Sequence, residues 1–312
     1  MRGSNVARVL RLKMSASKYM AIWVGVVGGT LLGLMKAEAQ SVQALDLEQQ
    51  VILVTGSTSG LGREVARRLA SRGAHVIVHG RNQERGAALI DEIESEGHGS
   101  ARFFAADFSS FEEVRTFGNL ILREYDRLDV LVNNAGMGSS PDDRILSKDG
   151  HEFRFQVNYL SPFLLTRILM PLLEASTPSR IVNVSSGAQA PIDFNDVMIE
   201  NDFSGRRAYA QSKLAQILHT FDQAEELEST DIMVNALHPA TLMPTEMVRR
   251  LGVEPRATIS EGADAVMQLI ESAEIVGGQY FNGLRPARAH DQAYDKKARA
   301  RLKELSEKLT GG

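Results

Sequence analysis

From Gln50 onward, short apolar runs alternate with helical stretches, and this alternation restricts the fold more than any other feature of the chain. Val51-Ile52-Leu53-Val54 is a bare apolar strand, and Leu61 to Ser71 follows it with helical spacing. Ala74 to Val78 and Glu84 to Glu94 repeat the pair. Later strands are expected at Ala101 to Ala105, Leu128 to Val132, Arg180 to Val184 and Ile232 to Leu237, with a helical segment between each pair. Strands that are apolar throughout, rather than in alternation, suit a sheet covered on both faces. Strand–helix alternation implies right-handed crossovers, and therefore an α/β fold with a doubly wound parallel sheet and helices on both faces. No internal repeat and no Pro/Ser-rich linker divides residues 48–312, so a single domain is expected there. Its end, Asp291 to Leu309, places Leu302, Leu305 and Leu309 at helical spacing, as an amphipathic helix packed on the domain would.

Residues 1–40 differ in character. Arg2, Arg8, Arg11, Lys13 and Lys18 form a basic, acid-free lead to an apolar run from Tyr19 to Met35, and Ala37-Glu38-Ala39 resembles a small-x-small cleavage site. Together these features describe a signal peptide or, if uncleaved, an N-terminal membrane anchor. Either would make the protein membrane-anchored or exported, with the rest of the chain outside the cytosol. No twin arginine marks a route for exporting a folded, cofactor-loaded protein. A translation start at Met35 would erase the segment and leave the protein cytoplasmic. The net charge of -4 and pI near 6.0 give no reason to expect a nucleic-acid partner. Cysteine is absent, which excludes disulfides and thiolate metal sites.

Directly after the first strand stands Thr55-Gly56-Ser57-Thr58-Ser59-Gly60-Leu61-Gly62. Glycines there let the backbone turn sharply and let a pyrophosphate approach it, while the following helix offers free N–H groups and the positive end of its dipole. Between a buried strand and a helix, such a loop points to a dinucleotide and a Rossmann-like sheet. A serine-hydrolase elbow would need serine at position 58, which is threonine. Dinucleotide folds often carry an acid at the end of the second strand to hold the ribose 2′-hydroxyl. Here that strand ends Val78-His79-Gly80-Arg81, and Arg81 suits a 2′-phosphate instead, favouring NADP(H) over NAD(H).

Tyr209 and Lys213 lie four apart in a helical stretch ending near Leu227, so their side chains share one face. A nearby ammonium would favour the phenolate of a tyrosine whose free pKa is about 10. With the glycine loop, Asn133-Asn134-Ala135-Gly136, Asn158 in Val-Asn-Tyr-Leu, Ser185-Ser186, Tyr209 with Lys213, and His238-Pro239, the sequence resembles the short-chain dehydrogenase/reductase family over residues 48–310. The likeness is closer to its retinol-dehydrogenase-like branch, through the Gly80-Arg81 context, the long serine-to-tyrosine interval and the ending Leu305-Ser306-Glu307-Lys308-Leu309.

The resemblance implies reversible hydride transfer between NADP(H) and a carbonyl/alcohol pair, with a hydrophobic, retinal-like substrate suggested by the branch. It implies that Tyr209 transfers the proton, that Lys213 holds the nicotinamide ribose and depresses the tyrosine pKa, and that Ser186 hydrogen-bonds the substrate oxygen. Asn158 would belong to a proton relay, Asp107 would contact the adenine, and Asn134, Ala135 and Gly136 would line the adenosine side. Thr55 to Gly62 (Thr55, Gly56, Ser57, Ser59, Gly60, Leu61 and Gly62), Arg81, Pro239 and Thr241 are the remaining expected cofactor contacts. Each position has a plainer alternative. Ser186 could cap a turn, Asn134 could stabilise a strand end, Asp107 could cap a helix beginning at Ser109, and Asn158 could serve only a helix bend.

The family usually has Pro-Gly where this chain has Pro239-Ala240, and the threonine expected soon after is ambiguous between Thr241 and Thr245. The interval Gly187 to Ala208, with Pro191-Ile192-Asp193-Phe194, is expected to form part of the substrate wall. No metal site is expected, since His75 and His79 have a ligand-like spacing but fall on a strand. A homodimer through the helices around Tyr209 is common in the family. The rival functions are a non-catalytic NADP(H)-binding sensor or scaffold, which the complete Ser186, Asn158, Tyr209 and Lys213 set opposes, and a nucleotide-sugar epimerase, for which too little chain follows Pro239.

Overall fold

The structure, a computed structural model, describes residues 46–139 and 142–311. The expected signal or anchor segment lies outside these residues. Among the described residues, no helix is long and apolar enough to cross a membrane.

Strands β1 (Val51–Val54), β2 (His75–Gly80), β3 (Ser100–Ala105), β4 (Val130–Asn133), β5 (Ser179–Val184), β6 (Ile232–His238), β7 (Tyr280–Asn282) and β8 (Arg285–Ala287) make one sheet in the order β3-β2-β1-β4-β5-β6-β7-β8. All neighbours are parallel except β7 and β8, which form an antiparallel hairpin. The helices are α1 (Gly60–Ser71), α2 (Gln83–Glu96), α3 (Phe111–Glu124), α4 (Phe153–Phe155), α5 (Ser161–Ala175), α6 (Gly205–Glu226), α7 (Glu246–Arg249), α8 (Ile259–Glu271) and α9 (Lys296–Thr310). A π-turn over Gln156–Leu160 joins α4 to α5 without a break.

The six expected strands are β1 to β6, and their apolar character has the expected cause. In β1, Leu53 enters a core with α3, α5, α6 and α9, while Ile52 and Val54 enter a second core with α1, α2 and α8. Successive side chains leave a strand on opposite faces, so a sheet with a core on each side needs every position apolar. Helix ends follow local chemistry. Asn82 caps α2 by accepting the Arg85 N–H at 2.8 Å, and Thr258 with Glu261 forms a reciprocal capping box on α8.

The chain order reverses between β1 and β4, because β3 lies at one edge and the path then crosses to the far side of β1. Parallel sheets open a crevice beyond the carboxyl ends of their strands at such a switch. On the opposite flank α9 lies along α6, where Arg299 pairs with Glu225 at 2.8 Å and Leu302 is buried.

Candidate active site

A cleft of about 830 Å³ opens at the carboxyl ends of β1, β4, β5 and β6. Its floor begins in the loop between β1 and α1, where Gly56 (φ 64°) and Gly60 (φ 57°) adopt left-handed conformations. A Cβ on Gly56 would lie 2.8 Å from the Cα of Ala135, so glycine is needed there for conformation and for close approach. Ser59, the N-cap of α1, makes no side-chain hydrogen bond to the helix, leaving the first-turn N–H groups uncapped beside the cleft.

Not every residue of the motif faces that space. Thr55 is buried behind the cleft, where its Oγ1 accepts the N–H groups of Asn134 (2.9 Å) and Ala135 (3.0 Å) and donates to Val132. Ser57 is likewise buried, donating to Val54 O at 2.7 Å and accepting the His79 N–H at 3.0 Å. Both hydroxyls, at positions expected to contact the cofactor, are spent on backbone groups that hold the loop. Asn134 lines the cleft, yet its amide donates to Thr55 O (2.8 Å), which matches its plainer strand-end role. Gly56, Ser59, Gly60, Leu61, Gly62, Arg81, Asp107, Ala135, Gly136, Pro239 and Thr241 all line the cleft.

The sequence offers His79 only a metal-like spacing from His75 and carries no signal of its structural work. The ring packs on Phe108 with centroids 4.3 Å apart. Nδ1 accepts the Gly56 N–H at 3.1 Å, and Nε2 faces Ala106 O at 3.2 Å, which fixes the neutral tautomer with the proton on Nε2. Burial pushes its pKa down to about 4.

At the β2 end of the cleft, Arg81 stands exposed just past the strand. Gly80 beside it admits the Thr58 side chain, whose Oγ1 would lie 2.6 Å from any Cβ there. Asp107 accepts the Ser109 N–H at 3.0 Å and pairs with Lys148 at 3.2 Å. Burial raises the Asp107 pKa, but the Ser109 hydrogen bonds and Lys148 outweigh it and hold the carboxyl below its usual value. Helix α3 starts at Phe111 with Ser110 as its cap, so Asp107 closes the turn before the helix rather than capping it.

The reacting end is built by β5, the π-turn and α6. Ser185 Oγ donates to Lys213 O at 2.7 Å, tying β5 to α6, and is thereby turned away from the work left to Ser186. Ser186 Oγ accepts the Ala188 N–H at 3.1 Å and lies near enough to the Tyr209 hydroxyl to draw that group's pKa down. Its carbonyl is held by the Tyr280 hydroxyl at 3.0 Å, a contact from short strand β7 that the sequence did not announce. Burial raises the Tyr209 pKa and the Ser186 hydrogen bond offsets part of that rise. Lys213, 3% exposed, donates from Nζ to Val184 O (2.8 Å) and Gln216 Oε1 (2.9 Å), and burial lowers its pKa to about 7. The expected depression of Tyr209 by Lys213 does not appear: the amine is turned to other partners and burial dominates both groups.

Asn158 sits in the π-turn and does not line the cleft directly. Its Oδ1 accepts the Met137 N–H at 2.6 Å, and its Nδ2 donates to Met137 O at 3.1 Å and to Ser212 at 2.8 Å. This two-way clamp holds the segment after β4 against α6, combining the helix-bend role with placement of the site. Gly136 keeps the space in front open, since a Cβ would lie 3.2 Å from Asn158 Oδ1 and 3.5 Å from Lys213 Nζ.

The outer wall is mostly apolar, with Met137, Phe153, Val157, Leu242, Met247 and Leu251 among its residues. Gly187, Ala188 and Arg206 of the serine-to-tyrosine interval contribute to the wall, as expected of that interval, whereas Pro191 to Phe194 within it does not. Ile192 is instead in the core, bonded through its N–H to Gln292 at 2.6 Å, and Arg301 of α9 covers the Phe194 ring. Thr241 bonds His238 Nε2 at 3.0 Å, whereas Thr245 caps α7.

Comparison with known proteins agrees with this geometry. The family model described as short chain dehydrogenase matches residues 50–255. The chain is 33% identical to mouse (Mus musculus) retinol dehydrogenase 13, over 92% of this chain and 91% of that protein. It is 34% identical to human (Homo sapiens) retinol dehydrogenase 14, over 84% and 86% of the two chains. Among solved structures, a putative uncharacterized protein from Mycobacterium paratuberculosis superposes with a TM-score of 0.72 at 29% identity, covering 88% of this chain and 97% of that one. A short chain dehydrogenase from Shigella flexneri, solved in complex with NADP, gives 0.60 at 26% identity, covering 79% and 100%.

Proposed function

The chain belongs to the short-chain dehydrogenase family, and from that premise we propose that it is an NADP(H)-dependent oxidoreductase interconverting an apolar carbonyl compound and its alcohol. The observation that carries this proposal is the Tyr209–Ser186 hydroxyl pair on the wall of the cleft, with buried Lys213 one helical turn along α6.

The cleft fits a dinucleotide. The first turn of α1 is free of side-chain caps for a pyrophosphate, and Gly136 leaves room in front of Lys213 for a ribose. A bound NADP(H) supplies the hydride in reduction and accepts it in oxidation. The remaining work falls to the chain. Tyr209, kept protonated at neutral pH by burial, gives its hydroxyl proton to a carbonyl oxygen and recovers it in the reverse direction. Ser186 donates a hydrogen bond to that same oxygen, and Lys213 holds the ribose from the floor of the site. Arg81, with no carboxylate at the end of β2, supports the preference for a 2′-phosphate.

The apolar outer wall supports a hydrophobic substrate, and a retinoid is one suggested by the names of the relatives. An anchor or signal within residues 1–40 would suit a lipid-soluble substrate. A homodimer through α6 would have to use the part of that helix which α9 leaves uncovered.

The test follows NADPH and NADH consumption with aliphatic, aromatic and retinoid carbonyls, for the full chain and for Tyr209→Phe. We expect turnover with NADPH, reduced by roughly a hundredfold or more in the variant, while NADPH binding persists. Equal use of NADH would remove the cofactor preference, and turnover of polar carbonyls alone would remove the substrate class. Binding without any turnover would favour a sensor.

A further inference from the structure

Beside the adenosine end, a side pocket of about 440 Å³ gathers charges from separate parts of the chain. Thr58 and Ser59 come from the loop after β1, Arg81 from the end of β2, Arg85 from α2, and Glu246 and Arg250 from the segment around α7. Three guanidinium groups thus surround one carboxylate. Glu246 accepts from Arg85 at 3.2 Å and from Arg250 at 2.9 Å, and these hydrogen bonds, Arg250 first, hold its pKa below the usual value. No ion pair of Arg81 is found among the described residues.

The segment that carries Glu246 is a strap over the cleft. Its Thr245 methyl group lies 3.2 Å from where a Gly60 Cβ would sit, and its Met247 Cγ lies 2.6 Å from the corresponding point at Gly138. Missing side chains in both loops therefore allow the strap to close down on them. The Arg85–Glu246 pair is a tie between this strap and α2, and it crosses the mouth where the 2′-phosphate of the proposed cofactor would enter.

We propose that Glu246 is a specificity-determining residue: its carboxylate occupies the position of the cofactor 2′-phosphate toward Arg85 and Arg250 and sets how strongly that phosphate is preferred. This rests on the NADP(H) reading above. A phosphate dianion and a carboxylate compete for the same guanidinium donors, and each repels the other across the pocket. A cofactor with a bare 2′-hydroxyl meets arginines already neutralised. One with a 2′-phosphate gains Arg81 at once, and gains Arg85 and Arg250 only by displacing Glu246. Arg250 then passes from the carboxylate to the phosphate, so that the strap itself grips the phosphorylated cofactor.

The test measures the affinity of the full chain for adenosine 2′,5′-bisphosphate and for adenosine 5′-monophosphate by calorimetry. Wild type, Glu246→Gln and Arg250→Gln are compared. We expect Glu246→Gln to raise the bisphosphate preference roughly fivefold at low ionic strength, with the gain shrinking as salt screens these exposed groups. Arg250→Gln should lower it by a similar factor. A preference that is unchanged or weakened in Glu246→Gln overturns the proposal. The wild-type preference alone decides the NADP(H) reading, and the change on substitution decides the role of Glu246, so either can fail without the other.

Discussion

Under the glycine loop, His79 has both ring nitrogens committed, one to the Gly56 N–H and the other to the Ala106 carbonyl. Protonation would turn Nδ1 from an acceptor into a donor facing another donor, in a site from which water is excluded. Burial lowers its pKa to about 4, from a usual value near 6.5. A folded-state pKa below the unfolded one favours the native state fully above pH 6.5. The contribution is lost as the pH falls from there through about 4. The expected loss from this residue is at most about 3 kcal/mol. His79→Gln can keep both hydrogen bonds without titrating, so denaturant unfolding at pH 7 and pH 4.5 should show a smaller acid loss in the variant. Equal losses in both proteins would mean that His79 does not carry the effect. Cofactor affinity should fall only as the pH approaches about 4, where His79 of the folded protein itself protonates and the Gly56 bond is lost.

At the level of elements, the β1–α1 loop shows what a motif conveys and what it leaves out. The run Thr55 to Gly62 placed a glycine turn between strand and helix, and the chain folds so; but sequence spacing carries no information about which hydroxyl turns inward. Thr55 and Ser57 turn inward because the N–H groups of Asn134, Ala135 and His79 there need acceptors. Strands β1 to β6 were legible because a two-faced core demands unbroken apolar runs. Strands β7 and β8 were not, since three residues on either side of Gly283 and Leu284 are too few to carry a periodicity, and β7 is placed by pairing with β6 and by burial of Tyr280 and Phe281 in the two cores. A bend at Asn158 was legible only as an alternative role, and its π-turn form was not, for the clamp depends on Met137 presenting both backbone groups from another element. Two glycines separate conformation from crowding. Gly97 (φ 71°) ends α2 with open space around it, so Gly97→Ala should cost about 1 kcal/mol. Gly56→Ala meets both a left-handed backbone and the Ala135 main chain, and should cost more than about 2 kcal/mol. It should also weaken cofactor binding well beyond tenfold. Similar melting shifts for the two variants would show that the close approach to Ala135 is not what requires glycine.

Across the whole molecule, the sheet separates two cores that relate differently to the cleft. On one face, α9 closes over α6 through buried Leu302, and Ser306 bonds the Tyr159 hydroxyl at 2.7 Å. These contacts lie on the side of α6 away from the cleft. On the other face α8 packs on α1, the helix that follows the glycine loop, and Arg68 pairs with Asp264 at 2.6 Å. Helix α8 also supports the strap, because the Met243 sulfur fills the space that Gly262 leaves, where a Cβ would collide with it. Truncation of a buried side chain should therefore have different consequences on the two faces. Leu302→Ala removes a side chain 1% exposed and should cost about 2–5 kcal/mol, with cofactor affinity changed by less than about twofold. Val266→Ala, from a fully buried position on α8, should cost about 1–3 kcal/mol and yet weaken the cofactor more, because α1 and the strap both rest on that helix. Unfolding and cofactor titrations on the two variants settle the matter. If Leu302→Ala loses as much affinity as Val266→Ala, the two cores act as one body and the cleft takes its shape from the sheet alone.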